Sequence, residues 1–267
     1  MNSPLIRAQI VEGQVVEKDS GKPVGYANIG VYGKNRGTVS DEQGRFRLDV
    51  NRLGDNDTFR ISALGYERAD FALGEIKKRC LTQCHLELVP KTYALPEVVI
   101  TPGKKLKERV VGNDVSRKNI SVGMADSILG YEFGTVMRIR RKPAQIQEVI
   151  MHIARCDYDS VFLRMNIHSV KNGLPDENLL RSPVYVQFNK ADTQRPIRID
   201  LTSQNIKVQD DFVVSFEVVR ELGNGGLYLT GTLFNKDKTL YRATSQARWS
   251  VLGPVGIGIA ARILQEK

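Results

Sequence analysis

The chain has 267 residues, of which 41% are hydrophobic and 26% are charged, and its formal net charge is +9. This length suits one large or two ordinary domains, and the composition is that of a globular rather than a disordered protein. No window reaches the roughly 18–20 uninterrupted apolar residues of a membrane-spanning helix.

The positive charge is spread along the chain. Residues 8–90 hold 12 basic and 12 acidic residues, residues 91–118 hold 7 and 3, and residues 119–267 hold 19 and 15. A nucleic-acid surface would gather its basic clusters on one face with aromatic residues between them. Nothing in the sequence indicates such a face, and we expect no nucleic-acid partner. Contact with an anionic surface, such as lipopolysaccharide or phospholipid headgroups, fits the charge better.

The most specific stretch runs from Gly13 to Glu67, where short runs of alternating apolar residues are separated by turn signals. Ala27, Ile29 and Val31 alternate with small and polar residues, as in a half-buried strand. Glycine-rich turns separate this run from the neighbouring ones, because glycine reaches positive φ without steric cost. Several strands at this spacing predict a small antiparallel sandwich.

The same stretch reads GKPVGYANIGVYGKNRGTVSDEQGRFRLDV and, further on, ISALGYE. It resembles the carboxypeptidase regulatory-like domain, a transthyretin-like β-sandwich, over residues 10–88. The resemblance implies a structural role, since this domain carries no catalytic residues. In bacteria such domains commonly open exported proteins and uptake receptors of the outer membrane. We therefore expect a periplasmic or outer-membrane-associated protein whose signal peptide, absent from this chain, has been removed.

The rest of the chain predicts a linker and a second β domain. We expect the first domain over 8–90, a basic linker over 91–118 and a jelly-roll-like domain over 119–267. Residues 132–140 and 146–154 suggest a strand pair, and 240–249 suggests a late strand. The runs FLRMNIHSVKNGLPDENLL and YRATSQARWS loosely resemble the C-terminal half of uncharacterised exported bacterial proteins. The predicted fold class is all-β, with two β-sandwiches in tandem.

Three cysteines are too few for a disulfide scaffold. Cys80 and Cys84 can pair only if the chain between them turns, because four extended residues span too far. The turn is credible between two strands, so the spacing leaves both a bridge and free thiols open. Cys156 has no evident partner.

Catalytic chemistry has little support in the sequence. His152 and His168 are candidate members of a serine triad, but no G-x-S-x-G elbow occurs. Cys80, Cys84 and His85 lack the second half of a zinc site. We expect no enzyme, no catalytic residues, no cofactor and no metal site. A β-sandwich hydrolase remains as a third hypothesis; it requires a serine or a carboxylate within reach of either histidine inside a cleft.

Asp200 and Glu217 are the carboxylates that a glycosidase would need, on strands that we expect to be neighbours. Arginines flank them at 164, 198 and 242. Arginine lowers the pKa of a nearby carboxyl group, whereas a general acid needs a raised one. The pattern therefore favours a lattice of cross-strand salt bridges.

A polar sheet face could also bind a sugar. The candidate ligand-binding residues are Arg164, Asn166, Arg198, Asp200, Glu217, Arg242 and Gln246, with Tyr158, Tyr185 or Trp249 for stacking. Trp249 shares strand parity with Ala243 and Ala247, which favours a core position instead.

Our first hypothesis is a non-enzymatic exported scaffold or partner-binding protein, acting on a protein partner or a cell-surface glycan. The alternative is a carbohydrate-binding accessory module that uses the polar sheet face of the C-terminal domain.

Overall fold

The computed structural model describes residues 9–81, 84–91, 106–126, 128–234 and 237–266. The chain divides into two compact units. The first spans Met1–Thr92 and Ala243–Arg248, and the second spans Tyr93–Arg242 and Trp249–Lys267. The structure is nearly all β, which confirms the predicted fold class with two β domains. Among the described residues, no helix is both long and apolar enough to cross a membrane.

In its described residues, the first unit has two small sheets and one helix. Its elements are β1 (Ile10–Glu17), β2 (Asn28–Val31), β3 (Gly37–Val39), β4 (Arg45–Asp49), β5 (Thr58–Ser62), β6 (Ala69–Ala72), α1 (Leu73–Arg79) and β7 (His85–Leu88). One sheet has the order β4-β1-β7, in which β1 and β7 run parallel, and the other has the order β3-β2-β5-β6. Their alternating apolar side chains form one core, whose fully buried members include Val15, Ile29, Phe59, Ile61, Leu73, Ile76 and Leu86.

Helix α1 occupies a segment where the sequence indicated only a turn. Leu73 and Ile76 are buried one turn apart, Glu75 lies in the first turn, and three cations lie in the last. This charge order complements the helix dipole. The next residue, Cys80, forms a disulfide with Cys84 across a Cα–Cα distance of 4.5 Å. The bridge that the sequence left open is therefore present, whereas Cys156 is a buried free thiol.

The segment Ala243–Arg248 belongs to the first unit although it lies late in the chain. Gln246 donates hydrogen bonds to Asn28 O at 3.3 Å and Ser62 Oγ at 2.9 Å. The amide of Gly33 donates to the carbonyl of Gln246 at 2.9 Å. The predicted strand over 240–249 is consequently wrong beyond Arg242, because this segment bonds to the first unit instead of continuing the ladder.

The second unit contains the remaining strands. They are β8 (Leu106–Gly112), β9 (Ser121–Asp126), β10 (Glu132–Met137), β11 (Ala144–Met151), β12 (Ile153–Cys156), β13 (Ser160–Lys171), β14 (Leu174–Asn178), β15 (Val184–Asn189), β16 (Ile197–Asp200), β17 (Lys207–Val208), β18 (Phe212–Val218), β19 (Asn224–Leu233), β20 (Thr239–Arg242), β21 (Ser250–Val251), β22 (Val255–Ile257) and β23 (Ile259–Glu266). Short 3₁₀ helices lie at Lys190–Gln194 and Thr202–Gln204.

These strands form three sheets. A seven-stranded sheet has the order β14-β13-β18-β10-β20-β21, with β15 also paired to β13. A five-stranded sheet has the order β16-β11-β23-β8, with β17 paired to β11, and a four-stranded sheet has the order β12-β19-β22, with β9 paired to β19. The jelly-roll topology predicted for this unit stays a prediction.

Strands β10 and β11 do not pair, so the predicted pairing of 132–140 with 146–154 is wrong. The loop between them leads from the seven-stranded to the five-stranded sheet. The side chain of Asp211 accepts a hydrogen bond from the amide of Ile139 at 2.9 Å, which fixes the start of this crossing. A turn signal alone does not distinguish a hairpin from a connection between sheets.

Candidate functional site

One face of the seven-stranded sheet carries a row of polar residues in direct register. Tyr185 on β15 lies opposite Arg164 on β13, Arg164 opposite Glu217 on β18, Glu217 opposite Glu132 on β10, and Glu132 opposite Arg242 on β20. We call these five residues the charged row. Residues two positions apart on a strand share a face, so side chains flanking the row lie on this face as well.

Glu217 is wholly buried and is held by both arginines. Arg164 Nη2 approaches Glu217 Oε2 at 2.6 Å, and Arg164 Nε donates to the same oxygen at 3.2 Å. Arg242 Nη2 donates to the other oxygen at 3.3 Å. Asn166 Nδ2 adds a longer contact to Oε2 at 3.3 Å. Each carboxylate oxygen therefore has a cationic partner.

Glu132 is also wholly buried, and it gathers four polar partners. Ser215 Oγ donates to Oε1 at 2.5 Å and Asn166 Nδ2 donates at 2.9 Å. His168 Nε2 lies 3.4 Å from the same oxygen, and Arg242 Nη2 forms an ion pair with Oε2 at 2.6 Å. Asn166 thus bridges the two carboxylates, while its own carbonyl accepts a hydrogen bond from Asn178 at 2.9 Å.

The electrostatic interactions in this network favour the charged forms of Glu132 and Arg164. Burial raises the pKa of Glu132. The charge of Arg242 and the hydrogen bonds of His168 and Ser215 lower this pKa by more than burial raises it, so the pKa lies below its ordinary value. Burial lowers the pKa of Arg164, and Glu217 more than reverses this, so the net pKa is raised. A buried carboxylate with a lowered pKa is a poor proton donor near neutral pH.

Aromatic side chains lie at both ends of the charged row. Tyr185, 38% exposed, stacks on Phe162 with ring centroids 5.2 Å apart, and the guanidinium of Arg220 lies 4.3 Å from the Phe162 ring. At the other end, Arg242 lies 5.2 Å from the Trp249 ring, which meets His168 edge-on. Trp249 packs, partly buried, on Val136, Val213 and Leu240, but not through the strand parity with Ala243 and Ala247 from which a core position was predicted, because those residues belong to the first unit.

Of the seven residues proposed from the sequence, four meet in this network: Arg164, Asn166, Glu217 and Arg242. The expectation that Asp200 neighbours Glu217 is wrong, because β16 pairs with β11 in the five-stranded sheet. There Arg198 pairs with Glu148 at 2.8 Å, and Asp200 accepts hydrogen bonds from Thr202. Gln246 belongs to the first unit. Tyr158 is buried and donates to the carbonyl of Gly225, so it offers no stacking surface.

Sequence reasoning missed Glu132, His168 and Ser215 as members of the network. Glu132 is the one charged residue in the run YEFGTVM, and its strand has no exposed residue. A lone charge in such a run was the available signal, since buried charges require partners. The sequence around His168 and Ser215 contains no comparable signal, because these residues reach Glu132 only through the pairing of β13, β18 and β10.

The geometry does not assemble a hydrolytic triad in the described part of the chain. His152 Nε2 contacts Asp114 at 2.7 Å, and His168 Nε2 contacts Glu132, so each histidine has a carboxylate. A triad also needs a hydroxyl or thiol on the second ring nitrogen. His168 Nδ1 is buried without a hydrogen-bond partner among the described residues, and Ser215 bonds to Glu132 instead. No group of three or more His, Cys, Asp or Glu residues in the described ranges is arranged to hold a metal ion.

Comparison with known proteins identifies part of the chain. Residues 11–100 match the model of the CarboxypepD_reg-like domain family, which confirms the resemblance drawn for the first domain. No curated protein matches the sequence. The identity expected for the second domain stays a prediction.

Two solved structures align over nearly the whole chain. The cysteine protease and lectin-like domains of Cwp84, a surface layer associated protein of Clostridium difficile, give a TM-score of 0.41 at 9% identity, over 98% of this chain and 59% of that one. A structure of the clostridial cysteine protease Cwp84 after propeptide cleavage gives 0.39 at 10% identity, over 97% and 71%. This chain thus spans 59% of the first neighbour's length. Similarity at this level carries no inference about activity or ligands.

Proposed function

We propose, from the CarboxypepD_reg-like identity of residues 11–100, that this chain is a non-enzymatic exported protein that acts as a scaffold or binds a partner in the periplasm or at the outer membrane. Domains that resemble this one commonly open exported proteins. The observation that carries the proposal is the Cys80–Cys84 disulfide inside the matched region. Disulfides form and persist in oxidising compartments and are rare in the cytosol.

The second unit supports the non-enzymatic part of the proposal. Its two buried carboxylates already contact arginine, asparagine, serine and histidine side chains. A general acid needs a pKa near the working pH, and the pKa of Glu132 is shifted the opposite way. The network therefore suits a structural role that keeps seven sheet residues in one fixed register.

The proposal is tested by the location and thiol state of the protein in its own cells. Envelope and cytoplasmic fractions are alkylated before and after reduction, and the mass of the Cys80–Cys84 peptide is compared. We expect the protein in the envelope fraction, with both thiols blocked until reduction. Cys156 serves as the internal control, since it is a free thiol that reacts once the protein is unfolded. A cytoplasmic protein with three free thiols would refute export.

A carbohydrate-binding module is the second candidate function. It is favoured by the half-exposed pair of Tyr185 and Phe162, which flanks Arg164 as a stacking surface flanks a polar sugar contact. A glycan array of the full chain separates the two functions. Saturable, salt-insensitive binding that is lost in Tyr185→Ala would establish the carbohydrate module, and its absence would leave the scaffold.

A further inference from the structure

Two neighbouring turns of the second unit expose apolar side chains at one end of the seven-stranded sheet. Leu233 is 55% exposed, Phe234 is 83% exposed and Val251 is 49% exposed. Val251 ends β21 and Val255, the partner of Leu233, begins β22, so Leu233 and Val251 lie near opposite ends of the turn at 252–254. We call Leu233, Phe234 and Val251 the apolar tip.

Single exposed apolar residues are ordinary on protein surfaces, but a contiguous group requires an explanation. Val251 continues, through its partner Leu240, into the apolar cluster of Val136, Val213 and Trp249. Phe234 has a φ of 56°, in the left-handed region that bulky residues rarely occupy. The backbone thus holds an aromatic ring outward at a position where asparagine or glycine would be usual.

Cations lie at the same end of the sheet as the apolar tip. The basic collar consists of exposed residues on three loops of the same end: Arg138, Arg140, Arg141, Lys142, Lys171 and Lys238. Arg138 contacts Asp237 at 3.4 Å, and the carbonyl of Lys238 accepts a hydrogen bond from the amide of Val136, which joins the first loop to the turn after β19. A Cβ built on Gly173 would lie 3.3 Å from Lys238 Nζ, which places the turn at Lys171 beside them.

Ion pairs with described acidic residues account for only two of the six cations in the basic collar. Arg138 pairs with Asp237 and Lys142 with Asp210. In the ranges that the structure describes, Arg140, Arg141, Lys171 and Lys238 form no ion pair. An aromatic ring with a basic rim matches the chemistry of a lipid interface, where rings sit at headgroup level and cations attract anionic phosphates.

We propose that the apolar tip and basic collar dock this protein on an anionic phospholipid bilayer, with Phe234 entering the headgroup region. The inference extends the proposed function by assigning a membrane-facing surface, and it does not depend on export. It also specifies the anionic contact that the overall charge suggested. Against the six cations of the collar stand Asp210, Asp211 and Asp237, so positive charge remains in excess at this end of the sheet.

The test is flotation of the full chain with vesicles of pure phosphatidylcholine and with vesicles that also contain phosphatidylglycerol, at low and high salt. We expect binding to the anionic vesicles alone, weakened by salt. Phe234→Ser should lower the partition coefficient roughly tenfold, because the apolar area of the ring is no longer buried. Arg140→Ser/Arg141→Ser should lower it by about tenfold or more.

Matched controls separate this surface from general stickiness. Leu81→Ser removes an apolar side chain of similar exposure, 81% against 83%, in the first unit, and Arg117→Ser/Lys118→Ser removes two adjacent exposed cations. Both should bind like the wild type.

Four results would overturn the proposal. They are no vesicle binding, binding that Phe234→Ser leaves unchanged, equal losses in the control variants, and self-association through the tip without lipid binding. Circular dichroism establishes that each variant is folded. Failure here leaves the cell-fractionation result untouched, so the two proposals fail separately.

Discussion

Replacing Arg242 by alanine should destabilise the second unit by about 3–5 kcal/mol. Arg242 contacts both carboxylates of the charged row, Glu132 at 2.6 Å and Glu217 at 3.3 Å. These glutamates are direct cross-strand partners and are wholly buried. Without the guanidinium, two like charges face each other in the protein interior with too little compensation. Thermal unfolding of the full chain should show one transition lowered by about 10 °C.

The matched control is Arg198→Ala. Arg198 pairs with Glu148 at 2.8 Å but is 48% exposed, and such pairs contribute less than about 1 kcal/mol. Equal losses in the two variants would contradict the role assigned to the buried row. The deficit of Arg242→Ala should shrink as the pH falls, because protonating one carboxylate removes the uncompensated charge.

Gly37→Ala should destabilise the first unit by about 1–3 kcal/mol. A Cβ at this position would lie 2.1 Å from the carbonyl oxygen of Ser245, and one at Gly30 would lie 2.7 Å from the same atom. These contacts involve backbone, which cannot rotate away. Either β3 or the segment Ala243–Arg248 must move, and the hydrogen bond from Gly33 to Gln246 should open with it.

Hydrogen exchange of the Gly33 amide measures this opening directly, and unfolding of the full chain measures the stability. Gly54→Ala is the control, since the nearest atom to its Cβ would be 3.8 Å away and its backbone is not in the left-handed region. Faster exchange in both variants, or in neither, would show that Ala243–Arg248 does not depend on the close approach at Gly37.

Local patterns predicted the strands of the first unit well. Phe46 and Leu48 are buried between exposed neighbours on β4, as a period of two requires. Helix α1 was missed because its seven residues offer a single pair of buried positions, Leu73 and Ile76, which is too short for a helical period to be recognised.

The candidate site was only partly predictable. Arginines near Glu217 indicated ion pairs, and Arg164 and Arg242 do contact it. The sequence could not show that β18 lies between β13 and β10, because strand order depends on contacts between residues far apart in the chain. Asp200 was therefore placed beside Glu217, and Glu132 was overlooked. The alternation of polar and apolar residues likewise could not predict that Ala243–Arg248 belongs to the first unit.

The account rests on the polar face of the second unit being a structural network of buried ion pairs. The pKa of Glu132 is lowered in the folded state. The ionised carboxylate therefore stabilises the fold at pH values above the pKa of the unfolded state, and this stabilisation is lost as the pH falls toward the pKa of the folded state.

The most direct test is an NMR titration of the Glu132 side-chain carboxyl in the full chain, assigned with Glu132→Gln. We predict no protonation step between about pH 4 and pH 8. A midpoint above about pH 5 would instead describe a carboxyl group tuned to transfer protons, and it would contradict the non-enzymatic account.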